Sequence, residues 1–447
     1  ILERRRFFIL ILLTASLLLA SWFLINMNDI IPSETENPPT YSPEPSNETP
    51  EPSETGNDSG HGLISETGEI VGDIDELLSS MTLEEKIGQM FFIGRRTDEN
   101  GKPLHMPDAT LERLIDKYKP GGFIFFAENL DTIDQTVSFI NSLQDASKIP
   151  MFIGIDEEGG IVSRLNKAKA LHSTVMPEAY AIGKTNNSKY AYEASKTVAT
   201  EIRSLGFNLN FAPVADIFSN PANKVIGRRA YSSDANIAAK MVAEAVKGAA
   251  DGRIIPVVKH FPGHGDTLQD SHTGIAIVEN DIERLRQVEF LPFKAGIEAG
   301  ASMVMTAHVL TPNITDDGLP ATLSGTMLQK YLRDELGFDG VIITDGLEMS
   351  AISSYFSEEE AVVRAVEAGV DMLLLPRDFE KAFDALINAV KNGQVSEERI
   401  DESVGRILTL KKESGISFVK SDLNPDEVLG SPEHKALADK IRKESKQ

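Results

Sequence analysis

Ile254-Ile255-Pro256-Val257-Val258-Lys259-His260-Phe261-Pro262-Gly263-His264-Gly265-Asp266-Thr267-Leu268-Gln269-Asp270-Ser271-His272 begins as a β-branched apolar run and ends on a loop crowded with ionisable side chains. A strand buried on both faces produces such a run, and the first polar residues mark where it emerges at a rim. The pattern recurs along the chain. Short apolar runs at 90–93, 122–126, 151–155, 207–211, 254–259, 302–306, 340–344 and 371–375 read as strands. Amphipathic stretches at 110–119, 132–146, 189–205, 237–250, 282–298, 323–336 and 358–368 alternate with them as helices. Eight strands in regular βα alternation predict an α/β fold of the (β/α)8 TIM-barrel type, with a doubly wound open sheet as the competing arrangement.

Catalytic groups in such a barrel sit at the C-terminal ends of strands. Here Asp156, Lys259-His260, His308 and Asp345 each follow or close an apolar run, so four strands end on ionisable residues at one rim. Any one of them has a simpler explanation, since strand ends meet solvent, and Asp345-Gly346 alone also fits a turn or helix cap.

Only 8 histidines occur in 447 residues, yet His260, His264 and His272 fall within one loop region. The Asp270-Ser271-His272 spacing places a carboxylate beside an imidazole, whose ordinary pKa suits proton transfer near neutrality. A carboxylate fixed at a strand end and facing an acid/base group on a loop meets the needs of retaining glycoside hydrolysis. In that reading Asp345 is the nucleophile, His272 the acid/base and Asp270 its orienting partner. The rival is a metal site built from His260, His264, Asp270 and His272, although the helical HExxH spacing is lacking. Glu158-Gly159-Gly160 and Pro262-Gly263-His264-Gly265 match neither the P-loop nor the dinucleotide fingerprint.

Composition narrows the class further. Hydrophobic residues make up 41% of the chain and aromatics 7%, ordinary for an α/β enzyme. The chain has no cysteine, which excludes disulfides, thiol catalysis and thiolate metal sites. The net charge of −24 is concentrated at one end, because no Lys or Arg occurs between Arg6 and Lys86. What remains lacks the basic footprint that nucleic acid requires, so no nucleic-acid partner is expected.

Residues 1–27 open with Arg4-Arg5-Arg6 and continue apolar from Phe7 to Ile25, reading as a signal-anchor or signal peptide. The arginines before the span and their absence after it place the rest of the chain outside, by the positive-inside bias. Residues 28–70, rich in Pro, Glu, Ser and Thr, read as a disordered linker. The expected barrel covers 71–415, with a C-terminal helix or tail at 416–447.

The chain resembles glycoside hydrolase family 3 in its β-N-acetylglucosaminidase (β-hexosaminidase) branch. The resemblance rests on Met-Thr-Leu-Glu-Glu-Lys-Ile-Gly-Gln-Met at 81–90, Gly-Ile-Asp-Glu-Glu-Gly-Gly at 154–160, Asn-Phe-Ala-Pro-Val-Ala-Asp at 210–216 and Val-Ile-Gly-Arg-Arg-Ala-Tyr at 225–231. It also rests on Lys-His-Phe-Pro-Gly-His-Gly-Asp-Thr from 259, with Asp-Ser-His at 270–272, and on Ile-Thr-Asp-Gly-Leu-Glu-Met at 343–349.

The resemblance implies Asp345 as nucleophile and an Asp270–His272 acid/base dyad. It also implies that Asp156, Arg164, Arg229, Lys259 and His260 hold the hydroxyls of a terminal sugar. No metal and no organic cofactor is implied. Ile161, Glu157, Arg228 and Gly346 depart from the family's usual residues. The expected partner is a carbohydrate, either N-acetylglucosamine-containing peptidoglycan fragments or chitin oligosaccharides, met in the cell-wall compartment by a secreted or membrane-anchored enzyme. A glycoside phosphorylase and a catalytically silent wall-binding protein remain as alternatives.

Overall fold

The computed structural model describes residues 63–267 and 274–446. The segment 1–27, most of the linker, and both Asp270 and His272 therefore lie outside the described residues. Among the described residues no helix is long and apolar enough to cross a membrane. The folded part begins earlier than the expected boundary at 71. Leu63 and Ile70 are buried, and Ile64 forms an antiparallel bridge with Ile70. A few apolar side chains anchor this turn, against the polar composition of the segment that precedes it.

All eight apolar runs form strands of one parallel sheet. In chain order the strands are β1 (Phe91–Ile93), β2 (Gly122–Phe125), β3 (Phe152–Ile155), β4 (Leu209–Asn210), β5 (Ile255–Phe261), β6 (Ala276–Ile277), β7 (Met303–Thr306), β8 (Val309–Leu310), β9 (Val341–Ile343) and β10 (Leu373–Leu374). The large sheet has the order β10-β1-β2-β3-β4-β5-β7-β9, while β6 and β8 pair separately. A parallel bridge between Ile343 and Met372 brings β9 to the start of β10, so the sheet is a nearly closed eight-strand barrel. This favours the barrel over the open sheet.

Parallel strands need crossover connections, and the expected helices supply them. The helix Ser188–Leu205 starts on the Asn187 cap and stops at Gly206, whose φ of 105° ends the spiral. The expected single helix over 282–298 is instead two, Ile282–Gln287 and Phe290–Glu298. Pro292 explains the break: in a continuous helix its ring would strike the carbonyl of Val288, four residues back. The segment Thr326–Glu335 is wound as a π-helix rather than an α-helix, with the Leu336 N–H donating to the Tyr331 carbonyl.

Aromatic rings fill the barrel. Phe92 lies parallel to Phe152 at 6.5 Å and edge-on to Phe211 at 5.3 Å. Gly154 makes room for this layer, because a Cβ there would stand 2.8 Å from Phe211 and 2.9 Å from Phe92. Burying each ring contributes roughly 2–3 kcal/mol, so the interior is a packed core rather than a pore. At the opposite end from the ionisable rim, Asp371 accepts from Arg333 at 2.6 Å, Arg406 at 3.0 Å and the Ile342 N–H at 2.9 Å. These bonds tie β9, β10 and the outer helices together below the rim.

Candidate active site

Asp156 follows β3, and its two carboxylate oxygens face two cations. Oδ1 lies 2.8 Å from Lys259 Nζ and Oδ2 lies 3.0 Å from an Arg164 terminal nitrogen. Lys259, near the end of β5, also lies 2.7 Å from Glu158 Oε1. Glu158 in turn holds Arg229 by a two-point fork, with nitrogen–oxygen distances of 2.9 and 2.8 Å. Arg229 reaches His260 Nε2 at 3.4 Å. The structure thus brings together all five residues expected to bind sugar: Asp156, Arg164, Arg229, Lys259 and His260.

Burial opposes the charges of Asp156, Glu158, Arg229 and Lys259, and their ion pairs outweigh it. Burial would raise the Asp156 carboxyl, but Lys259 and Arg164 hold it far below the usual carboxylate range. Glu158 is likewise buried, yet Arg229 and Lys259 hold its pKa near about 2. Burial works against the Lys259 ammonium, while Asp156 and Glu158 raise its pKa on balance. The result is a preformed lattice of ionised donors and acceptors, able to give and take charge-assisted hydrogen bonds with vicinal hydroxyls.

Two acidic residues that the sequence reading left out are structural members of this site. Glu158 is one. Asp216, beyond β4, is the other: it is buried, with Oδ2 2.7 Å from His260 Nδ1 and Oδ1 accepting the His264 N–H at 2.6 Å. Burial would raise Asp216, but His260 and His264 keep it below its ordinary value. A buried Lys259 and a mostly buried Arg229 demand more carboxylates than Asp156 alone provides. That charge count was the available signal.

Asp345 stands beyond β9. Among the described residues it makes no ion pair, and Oδ1 accepts the N–H of Gly346 at 2.7 Å. Burial would raise its carboxyl, but His260, His308, the Gly346 N–H and Lys259 together hold it below the usual range. His308 is fixed beside it, with Nδ1 2.8 Å from Thr322 Oγ1 and Nε2 3.0 Å from the Gly346 carbonyl. Asp345 is therefore ionised without being neutralised by contact, the state a carboxylate nucleophile requires.

The departures from the family pattern have distinct settings. Glu157 is buried, and its Oε2 accepts the N–H groups of Arg164 at 2.8 Å and Leu165 at 3.0 Å. Burial pushes its pKa up to about 7. Ile161 is 70% exposed at a loop tip, and Arg228 reaches outward to pair with Glu178. The Gly346 carbonyl and N–H serve His308 and Asp345, and any residue except proline supplies both groups. Among the described residues no group of three or more His, Asp or Glu is arranged to hold a metal ion.

The glycosyl hydrolase family 3 N-terminal domain profile matches residues 82–410. The chain belongs to glycosyl hydrolase family 3. It is 35% identical over 352 residues to beta-hexosaminidase A of Pseudoalteromonas piscicida, covering 73% of this chain and 59% of that one. The chain thus spans about three-fifths of that relative's length. Among solved structures, a glycoside hydrolase family 3 beta-N-acetylglucosaminidase from Paenibacillus sp. str. FPU-7 superposes with a TM-score of 0.77 at 40% identity, covering 82% of this chain and 69% of that one. The beta-glucoside phosphorylase BglX bound to 2FGlc superposes with a TM-score of 0.74 at 26% identity, covering 82% of this chain and 66% of that one.

Proposed function

We propose that this family 3 chain is a retaining exo-β-N-acetylglucosaminidase. The observation that carries the reading is Asp345, ionised yet without an ion pair among the described residues, at the same rim as the Asp156–Glu158–Lys259–Arg229 lattice. The lattice holds the hydroxyls of a terminal sugar. An Asp345 oxygen then attacks the anomeric carbon, the glycosidic carbon–oxygen bond breaks, and His272 protonates the departing oxygen. In the second step water attacks the anomeric carbon, His272 takes its proton and Asp345 is released. Asp270 orients the His272 ring throughout.

The N-acetyl preference is supported by the Asp270–His272 motif and by the names of the Pseudoalteromonas and Paenibacillus relatives. Peptidoglycan fragments are the substrate that fits the sequence of residues 1–70, whose basic start, apolar run and acidic Pro-rich stretch suit an enzyme held at or released from the outer membrane face into the wall. The similarity to a phosphorylase keeps a second reading open to test, in which phosphate replaces water in the second step. A neutral or cationic histidine does not repel incoming phosphate as a carboxylate would.

Release of aryl alcohol from a β-N-acetylglucosaminide and from the matching β-glucoside, each with and without phosphate, decides among these. Rapid release from the N-acetylated substrate alone, independent of phosphate, is the expected result. Phosphate-dependent release moves the assignment to a phosphorylase, and release from neither substrate moves it to a silent wall-binding protein.

A further inference from the structure

The segment after Ser414 lies beyond the residues matched by the family profile, yet it is packed against a loop that braces the site. Its helix Pro432–Glu444 buries Ala438 and Ile441. The contact centres on Glu201, a buried carboxylate in the helix Ser188–Leu205. Glu201 Oε1 accepts from His434 Nδ1 at 2.9 Å, from the Gly430 N–H at 3.0 Å and from Thr174 Oγ1 at 2.6 Å. Its Oε2 accepts the Thr174 N–H at 2.9 Å. Four bonds converge on this one carboxylate, three of them on Oε1. Two of them go to the C-terminal segment and two to the loop.

That loop is gripped residue by residue. Thr174 is held by Glu201, the Val175 carbonyl accepts from Arg442, and the Met176 carbonyl accepts the Gly160 N–H at 3.0 Å. Two residues on, Glu178 pairs with Arg228, the neighbour of Arg229. Gly430 completes the fit: its φ is +57°, and a Cβ there would stand 2.0 Å from the His172 carbonyl oxygen. The segment 174–178 therefore lies between the C-terminal helix on one side and, on the other, the loop that supplies Asp156, Glu158 and Arg164.

We propose that Glu201 is a positioning residue for the sugar-binding loop, and that the C-terminal segment 424–444 acts through it to set substrate affinity. The inference rests on reading Asp156 and Arg164 as sugar ligands. It goes beyond that reading by assigning substrate binding to residues that touch neither sugar nor nucleophile. Loosening this grip lets Gly160 and the residues before it shift, which weakens ground-state and transition-state binding alike and leaves the chemical step unchanged.

The test uses the full chain with His434→Ala and the conservative His434→Asn, whose amide can still donate to Glu201. Turnover of an aryl β-N-acetylglucosaminide gives KM and kcat, and calorimetric titration with free N-acetylglucosamine gives Kd without turnover. Loss of one charge-assisted bond predicts that KM and Kd rise about 5- to 10-fold in His434→Ala while kcat changes less than about twofold. His434→Asn should restore both constants to near the parent values. Unchanged KM and Kd with a lowered melting temperature would reduce the contact to a stabilising one and overturn the proposal, as would a loss confined to kcat. A parent chain that binds the sugar without turnover sinks the hydrolase reading alone, because Kd still decides the role of Glu201. A parent chain that neither binds nor turns over overturns both.

Discussion

His260 Nδ1 lies 2.7 Å from Oδ2 of Asp216, and this buried pair aims the imidazole at the site. Asp216 is held ionised and can only accept, so Nδ1 carries the proton and Nε2 is left facing Arg229 at 3.4 Å. Asp216→Asn keeps the shape but can present an amide donor to Nδ1, favouring the wrong tautomer. The expected outcome is a fall in kcat/KM of about 10- to 100-fold, the equivalent of one charge-assisted hydrogen bond. Steady-state kinetics beside an unchanged circular dichroism spectrum checks it, and near-parental kinetics would show that the pair is not needed.

Lys259 serves two carboxylates at once, so its removal strands both Asp156 and Glu158 in a buried setting. Lys259→Met should destabilise the fold by about 3–5 kcal/mol, the range for a buried pair broken on one side. Adding Glu158→Gln should recover part of that loss. Urea unfolding of both variants measures the two quantities. A double variant less stable than the single one by the full cost of a second lesion would contradict the coupling.

Glu157 predicts a pH signature. Burial pushes its pKa in the folded chain up to about 7, above the ordinary carboxylate value. Between that ordinary value and about 7 the folded state retains a proton that the unfolded state has lost, so stability falls as pH rises through this window. The full effect is on the order of 3 kcal/mol. Glu157→Gln stays neutral and should lose this part of the slope, gaining stability relative to the parent at pH 8 but not at pH 4. Parallel stability curves for the two proteins would exclude the effect.

His272→Ala should separate substrates by leaving group. An activated aryl glycoside needs little protonation and should lose little in the first step, whereas a sugar leaving group should lose about 10²- to 10⁴-fold in kcat/KM, the usual contribution of a general acid. Equal losses on both substrates would remove His272 from the acid role.

The barrel was readable because its strands are buried on both faces and appear as runs such as Val341–Ile343, which no amphipathic helix imitates. The break at Val288 needed more than periodicity, since the apolar spacing continues across Pro292 and only the steric clash interrupts the helix. In the site, Asp156, Lys259 and His260 were visible as ionisable strand ends. Asp216 was not, because it follows its short strand by six residues instead of closing an apolar run. Glu201 could not be read at all: it lies in mid-helix, and its partners Thr174 and His434 are 27 and 233 residues away.

Covalent trapping tests Asp345 as the nucleophile most directly. An activated fluoro-substituted N-acetylglucosaminide, which slows breakdown of the glycosyl-enzyme more than its formation, is incubated with the full chain and the labelled peptide is located by mass spectrometry. One added sugar per chain is expected, on the peptide containing Asp345, with no label in Asp345→Ala. A label on another carboxylate, or full turnover by Asp345→Ala, would contradict it.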